Sequence, residues 1–409
     1  MCGIAGLVYL NQKKVSPNLL KKMTNSLAHR GPDGEGHWIE NNVGIGHRRL
    51  SIIDLSNEGV QPMQSQDQRY IISYNGEIYN YLELRNELIQ LGYKFKSKTD
   101  TEVVLYSYIQ WGNQALLKFN GMFAFAIWDK KKQELFIARD RYGIKPIYYA
   151  LQNETFYFAS EQKAILSDNN FTVNLNKPAL LEYFTFQNIF SNQTLNQDIF
   201  LLQPGHYGIL NLKKNNKELH LNQYWDYHFN SEDYNFSKEE SVEELSYLFK
   251  QAVKRQLVSD VEIGSYLSGG MDSGSITAIA SNQIRNLKTF TCGFDLSSAS
   301  GIELNFDERD KAKLMSTKFN TEHYEIILKS GDMEKCMKLL SYHLEEPRVG
   351  QSYPNFYAAK LASKHVKVVL AGTGGDELFG GYPWRYYQTM KSQNFEDYID
   401  QYYLYWQRL

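Results

Sequence analysis

A chain of 409 residues, 43% hydrophobic, 14% aromatic and 22% charged, has the composition of an ordinary globular protein and the length for two or three domains with cores of their own. Its formal charge of -2 gives no broad electrostatic reason to bind nucleic acid or an anionic membrane, so small molecules are the expected ligands. Cys2, Cys292 and Cys336 are too few and too scattered for a disulfide framework or a zinc cluster and fit a reducing, cytoplasmic setting, and no apolar run approaches the ~20 residues that span a bilayer.

The first ten residues are apolar, but no basic region precedes them and no small-residue cleavage site follows, which argues against a signal peptide. Up to about Phe200, apolar or aromatic runs alternate with turn clusters, and seven of these runs predict strands: Gly3–Tyr9, Val43–Gly46, Arg69–Tyr74, Phe123–Trp128, Glu134–Ala138, Ile147–Leu151 and Thr155–Ala159. Tyr81–Leu91 and Thr101–Trp111 repeat apolar side chains at three- and four-residue spacing, which predicts helices. The sum is an α+β domain of stacked antiparallel sheets flanked by helices, placed at residues 1–210.

Residues 211–237 are polar, with Lys213-Lys214-Asn215-Asn216-Lys217 followed by aromatics among Asp and Asn, and predict a hairpin and then a connection between domains. Beyond it, the amphipathic stretch Glu239–Leu257 leads into strand Ile263–Leu267, helix Ser275–Gln283, strand Lys288–Phe294, helix Asp307–Phe319, strand His323–Leu328, helix Tyr353–Ser363 and strand Val366–Ala371. That alternation predicts an α/β domain, residues 238–409, with a doubly wound parallel sheet.

Ser268-Gly269-Gly270-Met271-Asp272-Ser273 follows a strand and precedes a helix, the position at which doubly wound sheets bind ligands. Two glycines admit a phosphate to the backbone, the helix N-terminus offers N–H groups, and Ser268 and Ser273 add hydroxyls. Asp272 beside such an anion makes sense with a bridging Mg²⁺. The hexapeptide lacks the Gly-Lys-Ser/Thr ending of a Walker loop, so another nucleotide chemistry is implied. A second glycine-rich turn, Ala371-Gly372-Thr373-Gly374-Gly375-Asp376-Glu377, also follows a strand. It reads either as a facing loop that brings a second metal carboxylate, Asp376, or as a helix capped by acidic residues.

Cys2 follows the initiator methionine, so removal of Met1 would place a thiol and a free α-amine on one residue, the amine being a built-in general base. Five further segments carry charges that a purely structural loop does not need: His29-Arg30-Gly31-Pro32-Asp33, His47-Arg48-Arg49-Leu50-Ser51-Ile52, Asn75-Gly76-Glu77-Ile78-Tyr79-Asn80, Thr99-Asp100-Thr101-Glu102 and Arg139-Asp140-Arg141-Tyr142-Gly143. With Cys2-Gly3-Ile4 and the Ser-Gly-Gly loop, and over nearly the whole chain, the sequence resembles the glutamine-hydrolysing asparagine synthetase family.

That resemblance implies an N-terminal nucleophile glutaminase domain joined to an ATP pyrophosphatase domain, with ATP and Mg²⁺ as cofactors and a homodimer as the assembly. Cys2 would be the nucleophile, with Asn75 and the N–H of Gly76 as the oxyanion hole. Arg49 would pair with the glutamine α-carboxylate, Glu77 and Asp100 would hold the α-amino group, and Leu50, Ser51, Ile52 and Ile53 would line the pocket with Arg49. Nucleotide contacts would fall on Leu267, Ser268, Gly269, Gly270, Met271, Asp272, Ser273, Cys292, Ala371 and Gly372, and the metal on Asp272 and Asp376. The implied reaction amidates aspartate through an acyl-adenylate, releasing AMP and pyrophosphate, with an internal path for ammonia.

The sequence departs from the family pattern in two places. Thr373 stands where the family's second loop has a glutamate expected to deprotonate ammonia, so either Glu345 or Glu346 substitutes or the acceptor is another carboxylate, such as a sugar acid. The family also continues past this point with a helical region carrying a lysine near the phosphates, whereas the chain ends at Trp406-Gln407-Arg408-Leu409. A nucleotide-binding protein without synthetase activity is the remaining alternative.

Overall fold

The computed structural model describes residues 1–214, 217–229, 236–297, 307–348, 352–383 and 386–406. Asn215 and Asn216, residues 230–235 of the expected connection, and Gln407, Arg408 and Leu409 lie outside them. Two compact units result: Met1–Ala179 with Ser191–Asn235, and Leu180–Phe190 with Phe236–Leu409.

The first unit contains β1 (Gly3–Tyr9), β2 (Gly34–Glu40), β3 (Val43–Arg49), β4 (Met63–Gln64), β5 (Tyr70–Ile78), β6 (Gly121–Asp129), β7 (Glu134–Arg139), β8 (Tyr148–Gln152), β9 (Thr155–Ala159), β10 (Ile199–Leu201), β11 (His206–Asn211) and β12 (Leu219–Gln223). They form two six-stranded antiparallel sheets, ordered β10-β8-β9-β1-β3-β2 and β12-β11-β7-β6-β5-β4. β12 pairs with β11, so the hairpin after Asn211 is an edge of the second sheet.

Three apolar clusters define the layers. Ile4, Val8, Val43 and Ile45 of one sheet meet Ile71, Ala124, Trp128 and Ile137 of the other. On the far face of the second sheet, Tyr74, Phe123, Phe125 and Phe136 pack against Leu84 and Leu88 of helix Tyr81–Gln90 and Val103 and Val104 of helix Asp100–Trp111. Beyond the first sheet, Leu7 and Ala159 pack against Leu20 and Met23 of helix Pro17–Asn25. All seven residues of β1 are buried because it is a central strand covered on both faces, which explains its unbroken apolar run.

The expected strands are present, with several extended beyond the limits read from sequence, β3 and β5 the furthest. His47–Arg49 and Asn75–Ile78, read as turn-rich, are strand: Gly3 pairs with Arg48, and Asn75–Ile78 pair with Ala124–Gly121. The polarity lies in the side chains, of which His47 meets the Tyr74 carbonyl and Arg48 the Thr24 carbonyl, while the backbone stays in the ladder. Gly76 is required there, since a Cβ would lie 2.8 Å from the Phe123 Cα.

In the second unit, β13 (Ile263–Tyr266), β14 (Lys288–Phe294), β15 (Glu322–Leu328) and β16 (Val368–Leu370) form a parallel sheet ordered β15-β14-β13-β16. One face packs Val253, Ile276 and Ala280 of helices Lys238–Arg255 and Met271–Ser281. The other packs Phe290 and Tyr324 against Leu361 and Ala362 of helix Ser352–Ala362. Helices therefore cover both faces, as the alternating pattern predicts. The chain leaves β13 toward β14 on one side and returns to β16 on the other, which puts the order reversal, and hence a ligand crevice, at the carboxyl ends of β13 and β16.

Candidate functional site

In the first unit the thiol sits where β1 begins and β3 ends. Cys2 Sγ donates to the Leu50 carbonyl at 3.7 Å and accepts from the Leu50 N–H at 3.4 Å. Burial pushes this thiol up from its usual range, while the Leu50 N–H, the chain-terminal amine and Arg30 pull it down. The Met1 amine is lowered to about 5, chiefly by burial and with further pushes from Arg30 and Lys145.

A charge network holds the main chain of this residue. Arg30 Nε donates to the Cys2 carbonyl at 2.9 Å, and its Nη1 pairs at 2.8 Å with Glu161, which also meets His29 at 3.0 Å and Lys163 at 2.5 Å. Glu161 is buried, yet the hydrogen bonds from His29, Arg30 and Lys163 and the charge of Arg30 hold it well below the ordinary carboxylate range.

Arg49 is set by its loop. Its Nη1 donates to Ser56 O at 2.9 Å, and its Nη2 donates to Asp54 O. Gly59 makes room for it, because a Cβ there would lie 2.1 Å from Nη2. Ser51 N donates to Asp33 at 2.8 Å, fixing the start of the Ser51–Ile53 segment, and Ile53 packs against the aromatic core.

Opposite lies β5. Asn75 is 1% exposed, and its Nδ2 is a buried donor with no hydrogen-bond partner. Native structures rarely bury an unpaired amide, so such a group is a candidate ligand donor. The Tyr74 carbonyl meets His47 Nε2 at 3.1 Å and Ser73 Oγ donates to Gly46 O at 3.1 Å, which fastens β5 to β3 across the two sheets. Asp100, at the start of its helix, accepts from Tyr74 OH at 2.6 Å and from the Ile78 N–H at 3.0 Å, and burial raises it. Glu77 is raised to about 7, first by burial and then by the charge of Asp100.

In the second unit the loop after β13 folds on itself. Ser273 Oγ accepts from Ser268 N at 3.1 Å, lies 3.0 Å from Ser268 Oγ, and donates to Gly270 O at 3.3 Å. Gly269 has φ +82°, which side chains rarely adopt. The second glycine-rich turn does face the first: a Cβ at Gly372 would lie 2.8 Å from Ser273 N, and one at Gly375 would lie 2.5 Å from the Asp272 carboxyl carbon. A cavity of about 520 Å³ opens beside them, lined by Leu267, Ser268 and Cys292 of the expected set with Asp376, and by Thr291, Phe294, Glu308 and Asn355, which sequence reading missed. Thr291 donates to the Leu267 carbonyl and so ties β14 to the loop. Cys292 is pushed up to about 11 by burial and Asp307, which makes it a neutral lining group.

The carboxylate of Asp272 is raised first by burial and then by Asp376 and Glu377. These hard oxygen donors on two abutting loops suit Mg²⁺, but no group of three or more ligating side chains is assembled among the described residues. The donor set therefore fits an ion completed by phosphate oxygens. Glu345 and Glu346 line a separate cavity of about 360 Å³ with Met333, Met337 and Arg348.

Comparison with known proteins adds two family matches: residues 1–225 match a glutamine amidotransferase domain and residues 244–409 an asparagine synthase domain. Among curated relatives, asparagine synthetase (glutamine-hydrolyzing) 1 of Bacillus subtilis is 36% identical over 386 residues, covering 93% of this chain and 59% of the relative. A Methanocaldococcus jannaschii protein named for the same synthetase is 37% identical over 407 residues, covering 93% of this chain and 76% of the relative. Amidase chry2 of Gibberella zeae is 29% identical over 426 residues, covering 93% of this chain and 59% of its own. The chain thus spans about three fifths of the Bacillus relative it matches.

Proposed function

The chain belongs to the glutamine amidotransferase and asparagine synthase family, and from that premise we propose that it takes ammonia from glutamine at Cys2 and transfers it to a carboxylate activated by ATP. The observation that carries the first half is the buried, unpartnered Asn75 amide on the strand facing the Cys2 site. Cys2 Sγ adds to the side-chain amide carbon of glutamine, and its proton passes to the α-amine that removal of Met1 exposes on Cys2 and from there to the departing nitrogen. The developing oxyanion takes hydrogen bonds from Asn75 Nδ2 and the Gly76 N–H, and ammonia leaves on collapse. Water then hydrolyses the thioester to glutamate. Arg49, preset by its loop, receives the α-carboxylate as a fork, and Glu77 with Asp100 receives the α-ammonium.

In the second unit, the Ser268–Ser273 loop and the helix behind it cradle the pyrophosphate portion of ATP, with Ala371 and Gly372 closing the other side. Leu267, Gly269, Gly270, Met271 and Cys292 complete the nucleotide contacts. Asp272 and Asp376 would hold Mg²⁺, which neutralises phosphate charge when bound. The acceptor carboxylate attacks the α-phosphorus, pyrophosphate leaves, and ammonia displaces AMP from the acyl-adenylate.

Aspartate is the proposed acceptor, making the product asparagine in a soluble homodimeric enzyme. Incubation with labelled aspartate, ATP, Mg²⁺ and glutamine is expected to give labelled asparagine, and its absence would overturn this acceptor. A second reading, the same chemistry on another carboxylate such as a sugar acid, is favoured by Thr373, exposed on the second loop where a glutamate base is expected. An acceptor screen scored by pyrophosphate release separates the two.

A further inference from the structure

One buried cation beside the thiol has no part in the chemistry above. Lys145 is 6% exposed, and its ammonium forms no hydrogen bond or ion pair with any described residue. A side chain present only to fill space needs no charge, and an unpaired buried cation is costly. Its backbone is fixed at both ends: the N–H donates to Asp140 Oδ2 at 3.0 Å, and the carbonyl accepts from Arg139 Nε at 3.0 Å.

Asp140 fastens this turn to the site. Its carboxylate accepts from the N–H groups of Tyr142, Ile144 and Lys145, each at 3.0 Å, and of Phe123 at 3.2 Å. Phe123 is the ladder partner of Gly76, and Met122 that of Glu77, so the turn is fastened to the strand beside Glu77.

The charged groups facing Lys145 are Glu77, Arg30, Asp140 and Cys2, with the Met1 amine close by; Asp100 faces Glu77 from the helix start. Asp140 is saturated by four N–H donors, Asp100 is taken by Tyr74 and Ile78, and Glu161 by Arg30, His29 and Lys163. Glu77 alone among these carboxylates has no hydrogen bond or ion pair among the described residues. Two groups of opposite charge, neither with a hydrogen-bond partner among the described residues, therefore lie within electrostatic reach of one another.

We propose that Lys145 is a positioning residue whose charge keeps Glu77 ionised in the glutamine pocket and so sets the lower pH limit of glutamine binding. The proposal rests on the reading that Glu77 receives the α-ammonium of glutamine. Burial and Asp100 raise Glu77 to about 7, while Lys145 pulls it down. Burial lowers Lys145, and Glu77 is the largest opposing influence. Since the α-ammonium needs a carboxylate, affinity is present above the Glu77 pKa and lost as pH falls through it; removal of the cation moves that loss to higher pH.

The test is calorimetric titration of glutamine, between pH 6 and 8.5, into full-length protein carrying Cys2→Ala to prevent turnover. Lys145→Met, Lys145→Arg and Glu77→Gln are compared in that background, with circular dichroism confirming the fold. Adding Lys145→Met is expected to move the acid limb of binding up by about one pH unit and to weaken binding about fivefold near pH 7, with affinity at pH 8.5 kept within about twofold. Lys145→Arg is expected to overlay the parent, and Lys145→Met is expected to add no pH dependence to Glu77→Gln. An unmoved limb, equal weakening at every pH, or a Lys145→Arg profile matching Lys145→Met would each overturn the proposal. A parent that binds no glutamine at any pH would overturn the glutamine reading and this proposal with it.

Discussion

The side chain of Asn75 concentrates the argument at the scale of single residues, because its buried Nδ2 has no partner. A donor held for a charge that develops only in the transition state affects the rate more than ground-state binding. Asn75→Ala is therefore expected to lower the kcat of glutamine hydrolysis about 10²- to 10³-fold with little change in KM, read by glutamate release. His47 carries a pH consequence. Burial lowers it to about 3, so the folded state holds it neutral while the unfolded chain protonates near 6.5. A depressed folded pKa means its contribution is fully present above 6.5 and declines as pH falls toward 3, by about 1.4 kcal/mol per pH unit. Denaturant midpoints between pH 7 and 4 should fall less steeply in His47→Gln. The roles at this scale were only partly legible. Arg49, Asn75, Glu77 and Asp100 stand in polar and charged motifs, and Cys2 at the start of the chain. Glu161, by contrast, lies in an unremarkable stretch, and its pairing with Arg30 spans 131 positions that no local pattern reports.

Among elements, the contacts that matter are between loops and strand ends. Gly59 lies against the Arg49 guanidinium, where a Cβ would come within 2.1 Å of Nη2. Gly59→Ala is expected to raise the glutamine KM about tenfold through a displaced fork, with kcat changed much less, in steady-state assays. Element positions were largely readable, because a strand such as Thr155–Ala159 is an apolar run bounded by turn residues. The unread elements have physical reasons. β2, Gly34–Glu40, opens Gly-Glu-Gly-His and is only partly buried, so it carries no apolar run. β5 continues through Asn75–Ile78 because ladder pairing to β6 overrides the turn preference of Asn-Gly. Helix Asp332–Leu344 was passed over, although Cys336 and Leu340 bury one side at four-residue spacing.

For the whole molecule, each unit has its own apolar clusters, the first between and outside two antiparallel sheets and the second around a parallel one. Independent cores imply separable half-reactions. Cys2→Ala is expected to abolish glutamate release while ammonium-driven pyrophosphate release persists, and Asp272→Asn is expected to do the reverse, both within one assay series. Loss of both activities from either substitution would contradict separate sites. The division itself was legible as a change of rhythm, from many short strands to strictly alternating strand and helix. Less legible was the assignment of Leu180–Phe190 to the second unit, since nothing in its composition marks a change of allegiance.

The glycines of the two abutting loops imply a distinct pattern of mutational tolerance. At Gly372 and Gly375 the obstacle is a neighbouring atom, 2.8 Å and 2.5 Å from where a Cβ would stand. At Gly92 and Gly331 a Cβ would meet open space, and the only obstacle is the left-handed backbone, which asparagine and aspartate accept more readily than other residues. In a saturation library scored for growth, Gly372, which meets backbone, should admit no substitution, whereas Gly92 and Gly331 should admit those two residue types.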